Sequence, residues 1–130
     1  MADQGDVSRL ARALPDVVVD EAGRYGIAAT AGGKPKGFAW TWLERVDPKR
    51  ARVPNPDVLV VRVADLTVKE ELLAADPSVY FTEPHYDGYR AVLVRLAAIG
   101  ESELVELLTD AWLCTAPPAL ARKWEERLTR

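Results

Sequence analysis

Residues 57–63 (DVLVVRV) and 90–96 (RAVLVRL) constrain this chain more than any other stretches. Valine-rich runs lose rotamer freedom against a helical turn but fit a pleated, half-buried surface, so both predict strands. The second follows Asp87-Gly88, a dipeptide suited to a type I′ hairpin turn. Counting outward from that turn pairs Phe81 with Val94 and Val79 with Leu96. Val79, Phe81, Val92, Val94 and Leu96 would then share one face, with Glu83, His85 and Arg90 towards the tip. Tyr80, Tyr86, Tyr89, Ala91, Leu93 and Arg95 would share the other.

More strands are predicted at 17–21 (VVVDE), 25–33 (YGIAATAGG) and 36–46 (KGFAWTWLERV). The turn formers of 32–37 (GGKPKG) join the last two as a hairpin. Residues 47–56 (DPKRARVPNP) lack periodicity and read as a connection. Asp6 is expected to cap a first helix carrying Val7, Leu10 and Leu14 and ended by Pro15. Thr67 and Glu70 have capping-box spacing for a short helix to about Ala75, where Pro77 blocks continuation. A helix after Gly100 carries Leu104, Leu107, Leu108, Ala111 and Trp112, and a last one carries Leu120, Trp124 and Leu128. Strands flanked by terminal helices predict one α+β domain over residues 1–130, with helices packed on one face of an antiparallel sheet.

The chain's 130 residues suffice to bury a core without disulfides. No apolar run approaches the roughly 20 residues that span a bilayer, and the first residues show no signal-peptide pattern. A cytoplasmic protein, a monomer by default, is expected. The net charge of −3 hides an uneven distribution. Residues 1–22 sum to −3, residues 23–52 to +5 and residues 53–130 to −5. The basic segment reads as a solvated face or as an anion-facing patch.

Catalytic signatures are sparse. Phe38-Ala39 stands where a phosphate loop needs Lys-Ser/Thr, and no dinucleotide fingerprint or nucleophile elbow occurs. Cys114, the lone cysteine, reads as a buried inert thiol, and the ligand supply excludes a structural zinc site. No metal, cofactor or catalytic residue is assigned. His85, the single histidine, reads as the polar tip of a hairpin where Glu83 pairs with it or with Arg90. The alternative is a Glu83–His85 dyad in a ligand pocket with Tyr86. Phe38, Trp40 and Trp42 alternate onto one sheet face, either as core or as a platform for stacked bases or a protein partner.

Several stretches together resemble the MmcQ/YjbR family of small bacterial proteins: residues 14–17 (LPDV), 32–40 (GGKPKGFAW), 72–96 (LLAADPSVYFTEPHYDGYRAVLVRL) and 103–124 (ELVELLTDAWLCTAPPALARKW). The resemblance implies a frataxin-like (CyaY-like) fold and DNA binding through two protruding hairpin wings. By position these are the 32–37 loop and the 84–90 turn. On that basis a non-enzymatic, weakly DNA-binding protein is expected. Lys34, Lys36, Lys49, Arg50 and Arg52 would supply the charge, with Arg45 and Arg90 adding to it. The rival expectations are a small-molecule or enzymatic site at Glu83, His85 and Tyr86, and a protein-interaction module.

Overall fold

The structure, a computed structural model, describes residues 2–20, 26–29, 36–45, 47–115 and 122. The described elements run in chain order α1 (Gln4–Arg12), β1 (Val17–Asp20), β2 (Gly26–Ala29), β3 (Lys36–Glu44), β4 (Val53–Arg62), α2 (Leu66–Ala75), β5 (Tyr80–Phe81), a single 3₁₀ turn (Pro84–Tyr86), β6 (Ala91–Arg95) and α3 (Glu101–Thr115). The strands form one six-stranded sheet in the order β1-β2-β3-β4-β6-β5. Every neighbouring pair is antiparallel. The helices supply the second layer: α3 packs on β3 and β4, α1 on α3 and β1, and α2 on β5. This is the expected α+β architecture. The predicted last helix, with Leu120, Trp124 and Leu128, and the 32–35 part of the first hairpin loop lie outside the described residues.

Two apolar clusters form on opposite faces of the sheet. The larger lies under the helices and includes Val7, Phe38, Leu59, Val61, Val92, Val94, Leu104, Leu108 and Trp112. The smaller contains Val58, Val60, Ala91 and Leu93, with half-buried Trp40, Trp42, Phe81 and Tyr86 packed on them. The two central strands β4 and β6 alternate strictly between these faces, as a period of two requires.

Both helix starts differ from expectation. Asp3, not Asp6, caps α1: its Oδ1 accepts from Asp6 N at 2.9 Å, while Asp6 Oδ2 accepts from Asp3 N at 3.1 Å. Asp6 is therefore the third-residue half of a reciprocal cap. Asp65, not Thr67, caps α2, its Oδ1 accepting from Val68 N at 2.9 Å. The acid two residues earlier takes the role that the Thr67-x-x-Glu70 spacing suggested.

The 53–56 stretch also departs from its reading as a connection. It opens β4, with Glu44 opposite Val53 and Leu43 opposite Pro54. β6 joins β4 only from Val58 onward, so this part of β4 pairs with β3 alone. Prolines are tolerated where one side of a strand has no partner to receive a donor.

The 79–96 hairpin is offset by one residue. Tyr80 pairs with Val94 and Phe81 with Leu93. Asp87 takes φ −60 and ψ 128, and Gly88 takes φ 76. Those angles belong to a type II turn, which needs positive φ only at its third position. The 3₁₀ turn before it, closed by Tyr86 N donating to Glu83 O at 2.8 Å, absorbs residues that a two-residue loop would have left in the strand. The offset sends Tyr80 under the helices and Phe81 to the open face, reversing the predicted sides of both.

Candidate functional site

The sheet face opposite α1, α2 and α3, which carries no helix among the described residues, holds a cluster of aromatic and basic side chains. A β-bulge creates it. Ile27 pairs with Ala39 but Ala28 pairs with Gly37, so Phe38 is an extra residue on β3. Bulged residues break alternation. Phe38 is buried in the helix-side core, while Trp40 and Trp42 stay on the open face. The predicted three-ring stripe is thereby split.

Trp40 Nε1 donates to Tyr86 Oη at 3.1 Å, joining β3 to the 84–90 segment. Trp42 meets Phe81 edge-on with ring centroids 5.8 Å apart. The Arg62 guanidinium lies 5.9 Å from the centre of the Trp40 ring and its Nε donates to Gly37 O. Arg95 lies 4.1 Å from the centre of the Phe81 ring and donates to Pro77 O. Such pairs place cations against aromatic faces while leaving them free to meet anions. Trp42 Nε1, Thr82 Oγ1 and Glu83 Oε1 are shielded from water with no hydrogen-bond partner among the described residues. Buried polar atoms are ordinarily paired, so these three mark places where the patch is polar-incomplete.

The sequence-predicted cations divide between the two ends of the sheet. Lys36 begins β3, and Arg90 accepts from Val63 N through its carbonyl at 3.0 Å, just beyond the paired end of β4. Arg45, Lys49, Arg50 and Arg52 lie in and beside the β3–β4 connection, past the far end of β3. A strand of this length separates its ends by roughly 26 Å at about 3.3 Å per residue. Arg45 donates to the carbonyls of Pro48 and Arg50, and Arg52 to that of Leu43, so these two brace the connection. Arg50 pairs with Asp47 at 3.6 Å. Lys36, Lys49 and Arg90 are exposed. Lys34 lies outside the described residues. Arg62 and Arg95 were missed by sequence reasoning, because only the sheet order brings them beside the tryptophans.

His85 is exposed on the 3₁₀ turn, its ring edge-on to Tyr86 at 5.1 Å. The expected pairing of Glu83 with His85 or Arg90 is not made, and Glu83 Oε1 has no partner among the described residues. Tyr86 belongs instead to the aromatic cluster.

A separate cleft of about 460 Å³ opens on the helix side between α2, α3, Tyr80 and the end of β4. Tyr80 Oη donates to Glu103 Oε1 at 2.8 Å, and burial, reinforced by that carboxylate, pushes the phenol well above its ordinary range. Burial and the neighbouring Glu106 raise the Asp110 carboxyl above 3.8. Cys114, expected to be buried, is exposed, and its Sγ donates to Asp110 O at 3.2 Å. Cys114 lies one turn along α3 from Asp110 and outside the stripe of Leu104, Leu108, Ala111 and Trp112, which is why it escapes the core. Partial burial still raises its thiol, chiefly by desolvation, which favours the protonated form. Among the described residues no three His, Cys, Asp or Glu side chains gather closely enough to hold a metal ion.

The raised Asp110 pKa has a stability consequence. Between 3.8 and the higher native value the folded chain binds more protons than the unfolded one, so this group lowers stability as pH rises through that window. Asp110→Asn should therefore stabilise the protein at neutral pH. The gain should be no more than about 0.5 kcal/mol, because water screens an exposed carboxylate. Urea melts of the two proteins should converge as pH falls through and below 3.8, where the difference drains away.

The fold is shared with a solved structure. The crystal structure of Deinococcus radiodurans protein DR2400, a DUF419 domain, superposes with a TM-score of 0.68, covering 99% of this chain and 89% of that one at 20% sequence identity. At that identity the likeness shows the fold. No family model matches the sequence. Sequence relatives are nearer: the uncharacterized protein Rv2570 of Mycobacterium tuberculosis is 41% identical over 125 residues, covering 94% of this chain and 95% of the relative. Uncharacterized protein Mb2600 of Mycobacterium bovis matches to the same extent. The chain belongs to the family of these mycobacterial proteins. Among the described residues no helix is long and apolar enough to cross a membrane.

Proposed function

We propose that this chain is a non-enzymatic, MmcQ/YjbR-type domain that binds single-stranded nucleic acid weakly across the sheet face opposite α1, α2 and α3. The observation that carries the reading is the separation of charge between the layers, with aromatic rings on the basic side. Helices α2 and α3 hold six acids (Glu70, Glu71, Glu101, Glu103, Glu106, Asp110) and one base, Lys69. Residues 36–62 and 79–95, which form the sheet from β3 onward, hold eight bases against five acids. The acidic total thus resides largely on the helical layer, away from the tryptophans.

Bases stack on aromatic faces without regard to sequence, and cations beside them meet the phosphates. Trp40, Trp42 and Phe81 supply the rings. Arg62 and Arg95 supply charge beside the rings, and Lys49 and Arg50 at the far tip.

Fluorescence anisotropy of a labelled oligothymidylate tests this. Affinity should fall with salt on a log–log line of slope about −0.7 per phosphate neutralised. Trp42→Ala should weaken binding roughly 5- to 150-fold, the equivalent of about 1–3 kcal/mol per stacked base. Joint reversal of Lys49 and Arg50 to Glu should flatten the slope. Absence of binding at low salt, or a Trp42→Ala variant that binds as tightly as the parent, would overturn the sheet-face reading.

A further inference from the structure

The cleft between α2 and α3 lies on the opposite side of the sheet from the proposed nucleic-acid face, and nothing in that reading uses it. Its volume of about 460 Å³ falls in the range of small-molecule sites. Val63, Val68, Leu72 and Leu107 make its walls largely apolar. Its polar side chains at Tyr80, Glu103, Glu106 and Asp110 leave an unusual inventory. Ionised carboxylates only accept hydrogen bonds, and the Tyr80 hydroxyl proton is already committed to Glu103. The Cys114 thiol is spent on the Asp110 carbonyl. Arg62 contributes to the rim, but its Nε is held by Gly37 O and its guanidinium rests over Trp40 on the other face. Neither Glu106 nor Asp110 forms an ion pair among the described residues.

A cleft with apolar walls and a rim on which three carboxylates outnumber the one lining cation, Arg62, matches a ligand with a hydrocarbon body and a donor-only head. We infer that the α2–α3 cleft binds an organic amine, its apolar body against Val68, Leu72 and Leu107 and its ammonium between Glu106, Asp110 and the Tyr80–Glu103 pair. A hard metal ion fits poorly, since it seeks six or more oxygens and no such cluster is present among the described residues. A carboxylate ligand would meet three like charges. The raised Asp110 carboxyl, owed first to burial and then to the neighbouring Glu106, agrees with this geometry.

The test uses the full chain and three probes of equal hydrocarbon length: n-hexylammonium, 1-hexanol and hexanoate. Isothermal titration supplies affinities and amide chemical shifts supply location. Hexylammonium should bind at least fivefold tighter than hexanol and should shift amides in 63–72 and 103–114. Hexanoate should bind weakest. Glu106→Gln combined with Asp110→Asn should remove most of the ammonium preference while leaving hexanol binding unchanged. Both positions are exposed, so the variant should keep the parent's circular dichroism, and the single Glu106→Gln variant should show a partial loss. Equal binding of hexylammonium and hexanoate, shifts confined to other parts of the chain, or an unaltered preference in the double variant would overturn the inference.

Discussion

Trp112→Ala should cost about 3–5 kcal/mol, the range for deleting a buried aromatic side chain. Trp112 is fully buried on the inward face of α3, in the cluster that α3 shares with α1 and the sheet. Its Nε1 donates to Pro15 O at 3.0 Å, holding the chain where α1 turns towards β1. The truncation opens a cavity and leaves that carbonyl without its partner, so transfer, packing and hydrogen-bond losses add. Domains of this kind have about 5–15 kcal/mol in hand, so the variant should melt roughly 10–20 °C lower and lie near the threshold of folding. Trp112→Phe should keep most of the packing and lose mainly the hydrogen bond, at about 1–3 kcal/mol. Thermal melts followed at 222 nm separate the two. A truncated variant within about 1 kcal/mol of the parent would mean that α3 is not anchored through this ring.

Local chemistry written in the sequence was legible, and chemistry set by pairing was not. The valine-rich runs of β4 and β6 could only be central strands, and the apolar stripe of α3 could only face inward. Those stretches also set which neighbours lie on each side of the sheet. By contrast, Phe38, Trp40 and Trp42 read as one stripe because alternation was assumed unbroken. The bulge beside Gly37 is a property of the β2–β3 pairing, and it moves Phe38 to the other side. The 79–96 hairpin failed for a related reason. Asp-Gly suits a type I′ turn, but Pro84 starts a 3₁₀ turn first, and a one-residue slip swaps Tyr80 with Phe81. The candidate site suffered most. Its tryptophans and Tyr86 were visible as residues, yet Arg62 meets Trp40 only because β4 pairs with β3, and Arg95 meets Phe81 only because β6 pairs with β5. The basic segment was visible as charge, and the length of β3 is what divides it.

Lys69→Met should destabilise the chain by about 2–4 kcal/mol and loosen the 84–90 segment selectively. Lys69 is only 4% exposed, and its Nζ donates to Tyr86 O at 2.6 Å and Tyr89 O at 3.0 Å. These bonds stitch α2 to the turn whose Tyr86 holds Trp40. A methionine fills similar volume but removes the charged second donor from two carbonyls, which keep only the backbone donors Tyr89 N and Ala91 N. Amide exchange at residues 86–91 should therefore quicken more than exchange in β4, and oligothymidylate affinity should drop if Tyr86 positions Trp40 for stacking. The pH dependence gives a second reading. Burial lowers the Lys69 pKa from 10.5, partly offset by Asp87. Between the lowered native value and 10.5 the unfolded chain binds more protons than the folded one, so Lys69 adds stability as pH rises through that window. The cost of Lys69→Met should accordingly grow with pH there, because the variant has no such titration while all other groups are shared. A cost that stayed flat with pH, or exchange that quickened uniformly along the chain, would show that the turn is held by its own type II geometry and not by the lysine beneath it.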